Sequence, residues 1–190
     1  MVIGVAGKTC AGKNVIAKNI EKLGYTHVDV DQLGHIALEN EKAKLFEAFG
    51  PGIRNQDGSV NRRALGAIVF SNPEEKKKLE SIVHPEMIRM VEEIIAEQQN
   101  VVINAAILFE MKLDRLCDLV FWVDAPVIVR FLRGLRRDKV GAWGLFKRIW
   151  AQRKMNPNDF ASDADIFTIS NIGSSEKIAD KVVKILEKRK

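Results

Sequence analysis

An α/β fold with a doubly wound parallel sheet is predicted by three features of this 190-residue chain. Short, nearly continuous apolar runs recur at residues 2–6, 101–105 and 119–123, as strands buried on both faces require. Helical periodicities separate them. The first run opens into a glycine-bounded loop and then a helix, and in such sheets the ligand site lies beyond the carboxyl ends of the strands.

The strand V-I-G-V-A at 2–6 leads into a loop from Gly7 to Gly12, and a helix starts at Lys13 with Val15, Ile16 and Ile20 as its apolar positions. The loop fits G-x-x-x-x-G-K, in which backbone N–H groups wrap phosphates, the lysine reaches the terminal phosphates and the helix N-terminus adds its dipole. Gly7, Lys8, Thr9, Cys10, Ala11, Gly12, Lys13, Asn14 and Val15 are therefore the candidate nucleotide-binding residues. A glycine-containing turn of any α/β protein is the plainer alternative. Asn14 stands where the pattern places a Ser or Thr hydroxyl on Mg²⁺, and its carbonyl oxygen makes it the candidate metal ligand. Cys10, with lysines on either side at a helix N-terminus, is expected to react with thiol reagents and to be protected by ATP.

Y-T-H-V-D-V-D at 25–31 predicts a second strand that delivers Asp29 and Asp31 on one face. A carboxylate at that strand end can accept the proton of an attacking hydroxyl, or simply cap the next helix. Residues 32–99 carry an almost purely helical signal with turns at Gly50-Pro51 and Asp57-Gly58. Within it Asn72 caps a helix starting at Pro73, and Pro85 is expected to divide the run, with His84 at the break. His35 lies one turn after Asp31 on the same helix face. The chain thus reads as a core of residues 1–31 and 100–190 with a helical insertion at 32–99.

Strands at 101–105 and 119–124 are followed by a helix from about Pro126 to Asp138 and a basic stretch. Between Arg133 and Lys154 there are eight Lys or Arg and one acid, Asp138. Arginines converging on a cleft stabilise a transferring phosphoryl group, so a lid is predicted at about 138–155. A solvated basic face and an RNA-binding patch are the alternatives. The segment Gly141 to Phe146 reads either as a glycine-hinged closing loop or as helix, with Trp143 and Trp150 packed into a core. D-I-F-T-I-S at 165–170 predicts the last strand, before a closing helix capped by Ser174. Asn171 and Gly173, just past it, are candidates for a close backbone approach to the nucleotide base.

At 46% hydrophobic and 29% charged the composition is globular, and the length suits one domain with a small insertion. No apolar run approaches a membrane span and the chain opens on a strand, so a cytoplasmic protein with no membrane partner is expected. Cys10 and Cys117 have no C-x-x-C or metal-ligand spacing, which implies neither a disulfide nor a metal framework. The net charge of +5 favours polyanionic ligands.

Taken together these residues resemble the dephospho-coenzyme A kinase family, nearly end to end. V-D-V-D-Q-L-G-H at 28–35, D-G-S-V-N-R-R-A-L-G-A-I-V-F at 57–70, His84-Pro85, L-F-E at 108–110, V-D-A-P at 123–126, Arg133 through Arg137-Asp138, and R-I-W-A-Q at 148–152 follow the family's order. The resemblance implies a P-loop NTPase three-layer fold with a five-stranded parallel sheet, a helical substrate-binding insertion and a short lid. It implies transfer of the γ-phosphate of ATP, with Mg²⁺, to the ribose 3′-hydroxyl of dephospho-coenzyme A, a small-molecule substrate; a nucleic-acid partner is not expected. It makes Asp31 the general base, Lys13 the phosphate clamp and Arg137 a catalytic and nucleotide-binding lid arginine, with Asp31, His35, Arg62 and His84 on the substrate. The chain departs from the family's G-G-I-G-S-G-K-S loop at Lys8, Cys10 and Asn14, and from its later strands at Asn104, Ala106 and Ser170. Three readings stay open: an active dephospho-coenzyme A kinase, a nucleotide-binding relative with weak or lost activity, and a P-loop kinase for another small hydroxylated substrate.

Overall fold

The computed structural model describes residues 1–137, 141–160, 162–173 and 175–189. Its strands are β1 (Val2–Gly7), β2 (Thr26–Asp29), β3 (Val101–Asn104), β4 (Leu119–Asp124) and β5 (Asp165–Ser170). They form one sheet in the order β2-β3-β1-β4-β5, with every pairing parallel. The three inner strands are the apolar ones, as the sequence predicts, because their side chains are enclosed on both faces. Ile16, Ala17 and Ile20 of α1 (Lys13–Glu21) and Ile178, Val182 and Leu186 of α8 (Ser175–Glu187) pack into one cluster with Ile3, Val5, Phe121 and Val123 of the sheet. Each buried Ile, Leu, Val or Phe side chain stabilises the fold by about 1.5–3 kcal/mol. The expected Ser174 cap of α8 lies outside the described residues.

By contact density the chain divides into two units, Met1–Asp29 with Ile95–Lys190, and Val30–Ile94. The second is helical. It contains α2 (Val30–Asn40), α3 (Lys42–Phe49), a 3₁₀ turn at Pro51–Ile53, a single antiparallel bridge between Arg54 and Val60, α4 (Arg62–Ser71) and the greater part of α5 (Pro73–Glu97). Asn61 caps α4 by accepting the Ala64 N–H at 3.0 Å, and Asn72 accepts the Glu74 N–H at the start of α5 at 3.0 Å.

Two sequence expectations are corrected here. The second strand stops at Asp29 rather than Asp31, because Val30, Leu33 and Ala37 are buried at helical spacing and draw the chain into α2. Asp29 and Asp31 therefore do not share a strand face; Asp31 lies in the first turn of α2, where an acid is favoured by the helix dipole. Nor does Pro85 divide α5, which runs unbroken for 25 residues. Val83, Met87 and Val91 are buried at four-residue spacing across the proline, and that burial outweighs a cost of about 3 kcal/mol for proline inside a helix. His84 is thus a half-buried helix residue, not a helix-break residue.

One carboxylate in this unit has a pH signature. Glu86 accepts two hydrogen bonds from the Arg89 guanidinium, both at 2.8 Å, and one from Asn40 at 2.7 Å. These bonds, Arg89 first, lower its pKa from 4.5 to about 2. Since the folded value is depressed, its contribution is complete above the unfolded value near 4.5 and is lost as pH falls towards 2. Glu86→Gln is expected to flatten the fall in urea midpoint between those two pH values, as followed by circular dichroism; an unchanged slope would place the acid sensitivity elsewhere.

Candidate phosphate-binding site

The loop between β1 and α1 is built from backbone turns that side chains would obstruct. Gly7 has φ 140°, and a Cβ there would lie 2.1 Å from the Val123 carbonyl oxygen of β4. Cys10 (φ 60°) and Gly12 (φ 98°) both take left-handed conformations, and the Ala11 N–H bonds back to the Lys8 carbonyl at 3.1 Å. Left-handed residues of this kind turn successive N–H groups into a concave anion site, here at the start of a nine-residue helix. The Lys13 ammonium folds back to the Gly7 carbonyl at 3.1 Å. A cavity of about 230 Å³ opens beside it, lined by Cys10, Gly12, Lys13, Asn14, Val15 and Arg133.

The far wall comes from Arg133 of α6 (Val127–Arg137), and the loop after β5 braces the phosphate loop beside it. Asn171 is buried and donates its amide to the Ala11 carbonyl at 2.7 Å. Arg133 donates to the Ala11 carbonyl at 3.1 Å and to the Asn171 carbonyl at 3.0 Å. Asn171 therefore braces the loop with its side chain, whereas Gly173 (φ 112°) stands in open space. The Arg137 side chain and residues 138–140 of the expected lid lie outside the described residues.

Three loop residues have partners that the sequence does not announce. The Lys8 ammonium pairs with Asp124 at 2.8 Å and is 8% exposed, so its charge is matched inside the protein instead of being directed at the phosphate cavity. The Thr9 N–H donates to the Gln152 side-chain oxygen at 2.8 Å. Cys10 is 7% exposed and packs with Leu145 and Ile149 of α7 (Ala142–Ala151), with Val127 and Phe131 alongside. The expected reactive thiol is thereby corrected, because burial screens the sulfur. At Cys117 burial and two neighbouring aspartates push the pKa up to about 12. Native protein is expected to resist thiol reagents until unfolded; rapid modification of Cys10 in the folded state, read by mass spectrometry, would contradict the packing.

The glycine-hinged reading of Gly141 to Phe146 is corrected too, since Gly144 sits inside α7. The alternative, helix, is the one formed, but without the tryptophans in a core: Trp143 and Trp150 are 67% and 48% exposed, and Leu145 and Ile149 provide the buried face. Trp143, Phe146 and Trp150 stack along the outer side at centroid separations of 5.8 and 5.7 Å.

At the start of α1, the Asn14 carboxamide oxygen accepts a hydrogen bond from the buried Asn104 of β3 at 3.1 Å. Asn104 in turn lies in register with Asp29 at the end of β2 and Val5 of β1. As a metal position this offers one neutral hard oxygen, already engaged on one lone pair. Among the described residues no group of three His, Cys, Asp or Glu could hold a metal ion. A P-loop site draws most Mg²⁺ ligands from phosphates and water, so a single protein oxygen is compatible with it.

The candidate substrate residues fall in the helical unit. His35 and Arg62 line a cavity of about 570 Å³ there, together with Glu39, Asn55, Ser59 and Asn61. His84 is not among its lining residues. Asp31 is exposed in the first turn of α2.

A family model described as dephospho-CoA kinase matches residues 1–176. The chain belongs to the dephospho-CoA kinase family. It is 32% identical over 195 residues to the dephospho-CoA kinase of Bacillus licheniformis, covering 98% of this chain and 96% of that one. A solved Thermus thermophilus structure superposes with a TM-score of 0.81 at 28% identity, covering 99% of this chain and 97% of the other. The dephospho-CoA kinase of Campylobacter jejuni shares the fold, with a TM-score of 0.72 at 24% identity and coverage of 98% and 95%.

Within this member of the dephospho-CoA kinase family, sequence reasoning missed Arg130, which is 1% exposed. It donates from Nε to the Thr9 carbonyl at 2.8 Å and from Nη2 to Gln152 at 2.9 Å. Burial lowers the Arg130 pKa and nearby Asp124 opposes that. The signal was a lone cation inside the apolar run V-I-V-R-F-L, where a solvated arginine would be out of place.

Proposed function

We propose that this protein transfers the γ-phosphate of ATP to the ribose 3′-hydroxyl of dephospho-coenzyme A. The observation that carries this reading is a formed phosphate loop in a chain whose family match spans nearly its whole length. In it the loop amides and Lys13 hold the terminal phosphates, and Arg133 adds positive charge at the cavity wall. Asp31 takes the proton of the attacking hydroxyl, and Arg137 stabilises the charge of the phosphoryl group in flight. His35 and Arg62 contact the substrate from the helical unit, whose residues, about 32–99, form the substrate-binding domain; α7 belongs to the lid. Two cysteines that form no disulfide suit a reducing, cytoplasmic compartment.

Mg²⁺ would be held through the Asn14 oxygen, and when bound it neutralises charge on the phosphates. Asn14 and Asn104 both carry neutral carboxamides, so neither position contributes negative charge. The Mg²⁺ requirement for turnover is therefore expected to be high, to fall in Asn14→Ser, and to fall further in Asn14→Ser with Asn104→Asp. A Mg²⁺ titration of the three proteins at fixed ATP checks this; a low requirement in the wild type, or identical curves, would refute it.

A further inference from the structure

A helix that packs on a core turns its apolar stripe inward and its charges to water. In α6 the two are exchanged. Ile128, Leu132 and Leu135 recur at helical spacing along one face and are exposed, Ile128 to 73%. On the opposite face Arg130 is fully buried and Arg133 half-buried, each bonded to a carbonyl of the phosphate loop. Helix α7 does bury a stripe, Leu145 and Ile149, yet its outer side carries Trp143, Phe146 and Trp150. The two outer sides join, since Phe131, one turn from Ile128 and from Leu135, meets Phe146 edge-on at a centroid separation of 6.2 Å. Five of the ten large apolar side chains exposed among the described residues lie on this band, so the exposure is a patch and not scatter.

The charges around the band indicate what covers it. Arg136, Lys147, Arg148, Arg153 and Lys154 are all exposed, and between Arg133 and Lys154 the sequence holds a single acid, Asp138. The Lys147 ammonium lies 5.3 Å from the centre of the Trp143 ring, and the Arg153 guanidinium 4.8 Å from that of Trp150. Tryptophans paired with cations beside aliphatic side chains suit the headgroup level of a bilayer, where the apolar groups sink and the cations meet phosphate. A second copy of this chain would bring the same cations against them, and like charges across an interface cost affinity. Single-stranded nucleic acid would use the cations and the rings but leave Ile128, Leu132 and Leu135 in water. We propose that the outer face of α6 and α7 is a peripheral binding site for a lipid surface rich in anionic headgroups. It leaves the phosphate cavity open, because the cavity's Arg133 is on the other side of α6, and it is independent of the kinase reading. The sequence expectation of no membrane partner concerns spanning runs, and among the described residues no helix is long and apolar enough to cross a membrane. A face that lies on the headgroups needs none.

Sedimentation of the whole chain with vesicles of equal parts phosphatidylglycerol and phosphatidylcholine is the test, with vesicles of phosphatidylcholine alone beside it. Binding is expected to the first, about ten-fold or more weaker to the second, and to fall as salt screens the charges. Ile128→Gln with Leu132→Gln should weaken it about ten-fold or more through lost apolar contact. Lys147→Gln with Arg153→Gln should weaken it about five-fold for each cation removed. All four side chains are exposed, so circular dichroism and the thermal midpoint of both variants are expected to match the parent. Tryptophan emission should move to shorter wavelength on the anionic vesicles, because Trp143 and Trp150 leave water while the third tryptophan, Trp122, is already buried. No binding to anionic vesicles, equal binding to both compositions, or no emission change would overturn the proposal. So would full binding by the Ile128 and Leu132 variant, which would reduce the effect to adsorption by net charge. Self-association in the ultracentrifuge, or retention of single-stranded RNA, that the variants abolish while vesicles bind nothing would overturn it in favour of those occupants.

Discussion

Asp31→Asn is expected to lower kcat by about 10²- to 10⁴-fold while leaving the Kd for ATP near that of the parent. The carboxylate is proposed to receive the proton of the ribose hydroxyl as the oxygen attacks phosphorus, and a carboxamide of the same shape has no basic oxygen to take it. The exposed position of Asp31 in the first turn of α2 makes a folding defect a poor explanation for such a loss. Asp29→Asn is the necessary companion, because Asp29 ends β2 in register with Asn104, whose amide reaches Asn14 at the start of α1. Rapid-quench turnover together with calorimetric ATP binding distinguishes the two acids. A nearly normal Asp31→Asn beside an inactive Asp29→Asn would transfer the base to the strand end.

Gly12→Ala is expected to destabilise the protein by about 2–5 kcal/mol and to abolish measurable ATP binding. Forcing alanine into the left-handed region costs about 1–2 kcal/mol, and a Cβ at this position would lie 2.1 Å from the Asn171 amide nitrogen. Asn171 would have to move and break its 2.7 Å bond to the Ala11 carbonyl, which keeps its bond from Arg133, and the cost of leaving the buried Asn171 amide unpaired is about 1–3 kcal/mol. Urea denaturation of Gly12→Ala, Asn171→Gly and the double variant forms the test. The steric part should be recovered in the double variant; strict additivity would show that the two residues do not collide.

The sheet and its order of elements were legible because buried parallel strands must be apolar throughout and glycines must bound a loop that wraps phosphate. Less legible were features decided by packing. The end of β2 at Asp29 and the continuity of α5 through Pro85 depend on buried stripes that local rules do not weigh. Around the loop, the motif marked Lys13 and both glycines, but Lys8 gave no sign of its Asp124 partner 116 residues away. Gln152 falls in the basic stretch and Arg130 before it, inside an apolar run, and only tertiary contact shows that they grip Thr9. Cys10 is the clearest reversal. Its sequence neighbours are charged, but its spatial neighbours are Leu145 and Ile149.

The central claim is tested most directly by incubating the purified protein with ATP, Mg²⁺ and dephospho-coenzyme A and following coenzyme A by mass-resolved chromatography, with ADP measured in parallel. The kinase reading predicts coenzyme A and ADP in equal amounts, with ADP release dependent on dephospho-coenzyme A. No coenzyme A at high enzyme concentration despite bound ATP, or efficient transfer only to a different hydroxylated acceptor, would contradict it.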